Sequence, residues 1–445
     1  MDLLPQNYFI NKFNLIHYFS LMKLNHTAVI ILLAPLLQGC FTNYNAAKNQ
    51  QKNKAVASKV LNLTTQVLPY NSSADSSTVY IQLNNEQLLY AKFGNANELS
   101  AQVQILSYRL TSVDNYAPLD TFNTLFTLPL AQYKLQQQIT LALKLPATPN
   151  FETPYKIIIT DVNRKNEAQH FIVLNKTNAL NRQNFITSTA TRPLCFGNTH
   201  NDSVPLIITH NSLSKKLYAR YFKTNFPVAL PPFSTTPNAS YKFVPDSSFV
   251  LKTNNNKQFN LTTTQQGLYH LQPDSLRKDG LTIFSFHNNY PSVTNAMQLI
   301  LPMRYILSKQ EYDDLTNATN PKEALDKVWL NMAGNANKAR ELIRVYYSRV
   351  KQANEKFTSY TEGWKTDRGM LYIVCGAPQT QYKNLESETW IYGEENNFRA
   401  LNFAFSRVNN PFTTNDYELS RNALYKDYWY LAVDTWRGGK VFVNQ

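Results

Sequence analysis

Three carboxylates crowd one short stretch of this chain, Glu362, Asp367 and Glu388, with Lys365 and Arg368 between them. Paired carboxylates are the equipment of glycan hydrolysis, one serving as general acid and the other as base or nucleophile. The separation that decides such chemistry is set by the fold and is not legible in the spacing. Other catalytic routes have less material. From residue 301 onward there is no His, and the single Cys, Cys375, stands in an apolar run, which excludes a nucleophile–base pair there. No CxxC, HExxH, GxSxG or GxGxxG occurs, and no GxxxxGK followed by Ser or Thr. Two of the seven His lie near the N-terminus. His170, His210, His270 and His287 fall in or beside strand-like segments at no ligand spacing, so neither a metal nor a cofactor is expected.

The elements that must hold these carboxylates are readable around them. Ser308 and Glu311 form a capping box that opens a short helix, and Asn320-Pro321-Lys322-Glu323 opens another, with Leu325, Val328, Trp329 and Met332 along one face. A longer helix is expected over 337–357. Ala339, Leu342, Ile343, Tyr346, Val350, Ala353 and Phe357 recur at helical spacing as its buried stripe. Arg340, Arg344, Arg349 and Lys351 lie off that stripe, on a solvated or partner-binding face. Next, Gly363 is expected to end the helix in a left-handed conformation. Thr366-Asp367-Arg368-Gly369 has the composition of a type I turn, with Trp364 packed beneath it. Met370–Cys375 reads as an apolar strand closed by Gly376-Ala377-Pro378. Turn and strand account for every residue of 363–369 except Lys365 and Arg368.

This stretch, Gly363-Trp364-Lys365-Thr366-Asp367-Arg368-Gly369, resembles the GWxTD domain, a family of Gram-negative envelope proteins of unassigned activity. The likeness takes in Ala353-Asn354-Glu355-Lys356-Phe357, Leu371-Tyr372-Ile373-Val374 and Glu388-Thr389-Trp390-Ile391-Tyr392-Gly393. It continues through Phe403-Ala404-Phe405, Tyr428-Trp429-Tyr430 and Trp436-Arg437-Gly438-Gly439. It spans residues 300–440 and implies an α+β module over 300–445. The chain departs from the family where Cys375 takes an aromatic place and Gln379 an acidic one, so no carboxylate stands directly after Pro378. Cys375 is expected as a buried thiol rather than a partner of Cys195.

The N-terminal part speaks to location. Residues 27–37, TAVIILLAPLL, are an apolar run of 11, too short for a bilayer helix of roughly 20 and suited to a signal peptide whose positive flank is Lys23. The run ends in Leu37-Gln38-Gly39-Cys40, which resembles a bacterial lipobox with an atypical Gln38. Residues 1–39 are therefore expected as a leader starting at Met22, and Cys40 as a lipidated first residue. Acyl chains add about 0.8 kcal/mol per buried CH₂, and several of them anchor firmly. Residues 40–75, rich in Asn, Gln, Lys, Ala and Ser, are expected as a flexible tether. No acidic cluster follows Cys40, which favours the periplasmic face of the outer membrane.

Between tether and C-terminal module, short strand-like runs separated by Asn, Asp and Pro suggest two antiparallel, Ig-like β-sandwiches, at 76–176 and 183–293. In the first, Ile139, Leu141, Leu143 and Leu145 alternate, and Asp161-Val162-Asn163-Arg164 looks like a hairpin turn. In the second, the Pro-rich run Pro227–Phe233 is expected to cross between sheets or cover an edge. The expected fold is thus mainly β with an α+β end. Charge adds little, although it is uneven: before residue 301 there are 25 Lys+Arg against 13 Asp+Glu, and after it 19 against 17. No dense basic run with interleaved aromatics marks a nucleic-acid site, so an anionic membrane surface is the expected neighbour.

Two functions remain open. One is a non-catalytic envelope component whose partner, a protein or a glycan, is bound by Trp364, Lys365, Asp367, Arg368, Arg344 and Arg349, Arg and aromatics being the residues that anchor interfaces. The alternative is a periplasmic glycan hydrolase using Glu362, Asp367 and Glu388. The first is favoured, because no complete catalytic constellation is present.

Overall fold

The computed structural model describes residues 63–443 apart from 94–97, 114, 202–203, 212–214, 224–225, 237–242, 395–396 and 398–399. The expected leader, Cys40 and most of the tether lie outside the described residues. Strands make up 35% of the described residues and helices, 3₁₀ turns included, 25%, so this part of the protein is mainly β.

The first module contains β1 (Thr65–Tyr70), β2 (Ser76–Asn84), β3 (Ala91–Lys92), β4 (Leu99–Leu110), β5 (Pro118–Pro129), α1 (Leu130–Tyr133), β6 (Gln138–Pro146), β7 (Glu152–Asp161) and β8 (Asn166–Asn175). One antiparallel sheet runs β1-β2-β6. The other runs β3-β4-β7-β8, with β5 added to β4. Alternation decides which side is inside. Val79, Ile81 and Leu83 of β2 share one core with Ile139–Leu145 of β6, Val103 and Ile105 of β4, and Ile157 and Ile159 of β7. The turn after Asp161 forms as the sequence predicts, with the Asp161 carboxylate accepting the N–H of Asn163 and Lys165 at φ 57°. Three features differ from expectation. Thr65–Tyr70 is a strand within the stretch expected as tether, because Leu68 is buried and Val67 packs on the core. Leu88–Phe93, one of the short strand-like runs in the sequence, forms only the two-residue β3 behind a 3₁₀ turn at Asn85–Gln87. And β5 was not expected.

The second module holds β9 (Phe185–Ser188), β10 (Leu206–His210), β11 (Lys216–Phe222), β12 (Ser247–Lys252), β13 (Phe259–Leu261), β14 (Gly267–Gln272) and β15 (Leu281–Ser285). Sheets β13-β10-β9 and β12-β11-β14-β15 are antiparallel and share the core of Phe185, Ile208, Leu217, Phe259, Leu271 and Ile283.

The C-terminal module contains α2 (Ala296–Ile300), α3 (Lys309–Thr316), α4 (Pro321–Ala333), α5 (Ala336–Phe357), α6 (Asp367–Cys375), β16 (Thr380–Lys383), β17 (Ser387–Tyr392), β18 (Leu401–Arg407), β19 (Tyr417–Leu419) and α7 (Lys426–Arg437). Caps set the helix starts: Ser308 with Glu311, Asn320 for the Glu323 N–H, and Asn335 for the Lys338 N–H. Gly334 at φ 75° ends α4 in the left-handed region. The β16-β17-β18-β19 sheet joins the helices in one core containing Trp329, Tyr346, Trp390, Phe403, Phe405 and Trp436.

Here the structure corrects the expected turn and strand. Thr366 caps a helix through its Oγ, which accepts the Gly369 N–H, and Met370–Cys375 continues that helix. All nine residues of α6 are buried. A helix buried all round has no polar face, so its sequence reads as an apolar run that periodicity cannot separate from a strand. The Gly363 expectation also fails, since α5 ends at Phe357 and Gly363 opens a 3₁₀ turn.

The second and C-terminal modules are joined by an aromatic cluster in which Phe222, Phe226, Phe284 and Phe286 meet Phe412 and Tyr360. The Pro-rich run reaches the C-terminal core instead of bridging sheets. Val228, Ala229 and Phe233 pack against it, the Ala229 N–H donates to the Lys365 carbonyl, and the Asn422 N–H donates to the Pro232 carbonyl.

Candidate functional site

The 363–369 segment is a point where three backbones touch. A Cβ on Gly363 would lie 2.0 Å from the Ala353 carbonyl oxygen of α5, and one on Gly369 would lie 1.9 Å from the Gly363 carbonyl oxygen. Both glycines are there for close approach. Trp364 is buried as expected. Its N–H donates to Asn354 Oδ1 at 3.0 Å, and its carbonyl accepts the Tyr305 hydroxyl at 2.8 Å. Asn354 is itself buried in α5 and donates to the Pro291 carbonyl, while the Tyr290 hydroxyl accepts the Gly363 N–H.

The charged residues of the motif separate. Lys365 pairs with Glu362 and lies over the Trp364 ring at 5.4 Å. Asp367, 6% exposed, accepts the Leu419 N–H at 2.8 Å and a guanidinium N–H of Arg421 at 2.5 Å. Burial pushes its pKa up, and Arg421 works against that rise. Arg368, 2% exposed, donates to Glu388 at 2.8 Å and to both oxygens of Asn415, with Tyr417 stacked 4.1 Å away. Glu388 also accepts the Trp390 indole N–H. Burial alone would raise the Glu388 pKa, but Lys383, Arg368 and these hydrogen bonds outweigh it and hold it below the usual value. The three carboxylates singled out in the sequence are thus each held by a different cation, Glu362 by Lys365, Asp367 by Arg421 and Glu388 by Arg368.

Arg344 and Arg349 of α5 lie elsewhere. They line a groove of about 200 Å³ with Ser348, Gln352, Tyr372 and Ala377. Arg349 serves the fold. It donates to the carbonyls of Ile373, Val374 and Phe442 and lies over the Trp436 ring at 5.2 Å, closing the C-terminal end of α6. Arg344 is exposed and has no hydrogen bond or ion pair among the described residues. The Tyr372 hydroxyl on the groove wall donates to Gln352 Oε1 and receives a hydrogen bond from Lys356. Val345 and Ala377 complete the lining, so the groove mixes polar and apolar surface beside two guanidinium groups, one of them committed to the fold.

Of the six residues expected to bind, Trp364, Asp367 and Arg368 are inside the protein, Lys365 is mostly covered, and Arg344 and Arg349 share the groove. Sequence reasoning missed Arg421, Asn415 and Tyr290, which are remote in the chain and carry no local signal. Asn354 had one, a polar residue beside a buried stripe. Cys375 is buried in α6 with its thiol pushed up to about 12, in a different core from the one Cys195 packs against. His170 meets the Thr65 hydroxyl, His210 the Ala179 carbonyl, and His270 the Thr282 hydroxyl and the Lys278 carbonyl. Among the described residues no group of three His, Cys, Asp or Glu side chains converges as metal ligands, and no helix is long and apolar enough to cross a membrane.

A family model of the GWxTD domain matches residues 267–438. No curated protein matches the chain. The matched span begins at β14, earlier than the boundary near residue 300 expected from the sequence. It thereby includes two strands of the second module and Tyr290.

Proposed function

We propose that this member of the GWxTD domain-containing family is a non-catalytic cell-envelope lipoprotein that binds a protein or glycan partner in the α5 groove. In this reading Cys40 carries the acyl chains, the anchor sits in the outer membrane facing the periplasm, and the first two modules are Ig-like sandwiches that space the C-terminal module from the bilayer. The observation that carries the reading is the division of labour between the motif and the α5 groove. Asp367 and Arg368 are spent on internal partners that hold α6 in place, while Arg344 stands at the groove with no internal partner among the described residues. A groove with an uncommitted guanidinium supports binding, and carboxylates each neutralised by a separate cation speak for structure over acid–base work.

The test is photo-crosslinking in intact cells from a probe at Ser348, comparing the wild type with Arg344→Glu at equal folded amounts. A partner trapped by the wild type and lost from the variant supports the reading. Identical adducts in both, or glycan turnover by the purified chain, sinks it.

A further inference from the structure

Residues 183–293 carry ten Lys and Arg against four Asp and no Glu. Several of these cations meet on the outer face of the β12-β11-β14-β15 sheet. Leu217, Ala219 and Leu251 turn to the core, so Lys216, Tyr218 and Arg220 of β11 and Val250 and Lys252 of β12 turn outward. The register sets Lys216 opposite Lys252, a like-charge pair that repels across the sheet. At the other end of β11 the face is closed by the C-terminal module, whose Phe412 ring lies 5.3 Å from Phe222. The end with Lys216 and Lys252 is exposed.

The loop between β14 and β15 folds over this same face and is tied to it. Arg220 donates to the Ser275 carbonyl at 2.7 Å, His270 Nε2 to the Lys278 carbonyl at 2.9 Å, and the Gln272 amide to the Arg277 carbonyl. Asp274 is taken up by the Leu276 N–H at 2.9 Å, and Asp279 lies close to His270. The tip so fixed holds Leu276 91% exposed, followed by exposed Arg277 and Lys278, with Val250 46% exposed on the strand beside Lys252.

We propose that this face docks on an anionic lipid bilayer, with Lys216, Lys252, Arg277 and Lys278 against the headgroups and Leu276 inserted between them. The cations select a negative surface. Leu276 selects a bilayer over a soluble polyanion, because an apolar tip gains free energy only where it leaves water. The loop is already ordered by its three bonds to the sheet, so docking costs little in immobilising it. The contact does not depend on Cys40 and adds a second hold to the proposed acyl anchor, a lipid chain and a basic patch being the usual pair of signals for stable attachment.

The test is co-sedimentation with vesicles of phosphatidylcholine, alone or with phosphatidylglycerol added, using a chain without residues 1–40. Every core residue lies between 63 and 442, and the shortened chain keeps leader and acyl chains out of the readout. It is expected to bind the anionic vesicles, to ignore the neutral ones and to be released by salt. Lys252→Gln/Arg277→Gln/Lys278→Gln is expected to weaken binding about a hundredfold, at roughly fivefold per cation. Leu276→Ser is expected to weaken it about tenfold or more. Both variants change only exposed positions and are expected to keep the wild-type circular dichroism spectrum. Equal binding to both vesicles, no binding to the anionic ones, or full binding by the triple variant overturns the proposal. A Leu276→Ser chain that binds as the wild type does overturns the bilayer as partner and leaves a soluble polyanion in its place.

Discussion

Arg368 and Glu388 form an ion pair at 2.8 Å with 2% and 1% of their surfaces exposed, tying α6 to the central strand β17. Such a pair offsets its own desolvation only while both partners are present. Arg368→Ala leaves Glu388 charged and buried and is expected to cost about 3–5 kcal/mol, read as a lowered urea midpoint. The double substitution Arg368→Leu/Glu388→Leu is expected to cost less than Arg368→Ala. An Arg368→Ala protein as stable as the wild type refutes the structural role.

The two motif glycines are expected to tolerate no side chain. Gly363→Ala and Gly369→Ala each place a Cβ at or below 2.0 Å from a backbone oxygen. Backbone cannot rotate away as a side chain can, so each is expected to cost about 1–3 kcal/mol or more. Gly334→Ala meets no atom within 4 Å and is strained only by φ 75°, about 1–2 kcal/mol. Denaturant unfolding of the three variants checks the order.

Two carboxylates give pH dependence of opposite sign. Burial raises the Asp416 pKa to about 6, against Arg368 and the Asn410 amide that lower it. The folded state then holds a proton the unfolded chain has released, so this contribution is present below about pH 4 and is lost as pH rises through 6. Asp416→Asn is expected to gain about 2 kcal/mol over the wild type at pH 8 and little at pH 4. Glu311 is held down to about 2, first by its bond from Arg437. Its contribution is present above the usual carboxylate pKa and is lost as pH falls towards 2, so Glu311→Gln is expected to weaken the protein at neutral pH and not in acid. Melting curves across pH 2–8 measure both.

The groove arginines are expected to part on stability. Arg349→Ala takes a donor from the Ile373 and Phe442 carbonyls, while the Val374 carbonyl keeps the Trp436 indole N–H, and is expected to cost about 1–3 kcal/mol. Arg344→Ala is expected to stay within about 0.5 kcal/mol of the wild type while abolishing partner crosslinking. Thermal melts alongside the crosslinking assay separate the two.

The proposed envelope address makes its own prediction. Intact-mass spectrometry of the membrane-extracted protein is expected to find Cys40 as an acylated first residue, and Cys40→Ala to move the protein into the soluble fraction. An unmodified Cys40 in a freely soluble chain refutes the anchor.

Sequence by itself determined what neighbours in the chain decide. The Ser308, Asn320 and Glu311 caps, the stripe from Ala339 to Phe357 and the alternation of Ile139–Leu145 all depend on contacts within a few residues or on local periodicity. Only tertiary structure decided that Met370–Cys375 is a helix, because burial on every side erases the polar face that would have shown its period. Tertiary structure also chose Arg421, from 54 residues away, to hold Asp367, and left Arg344 at the groove beside Arg349. Partners that far apart in the chain are brought together by packing, which no local spacing encodes.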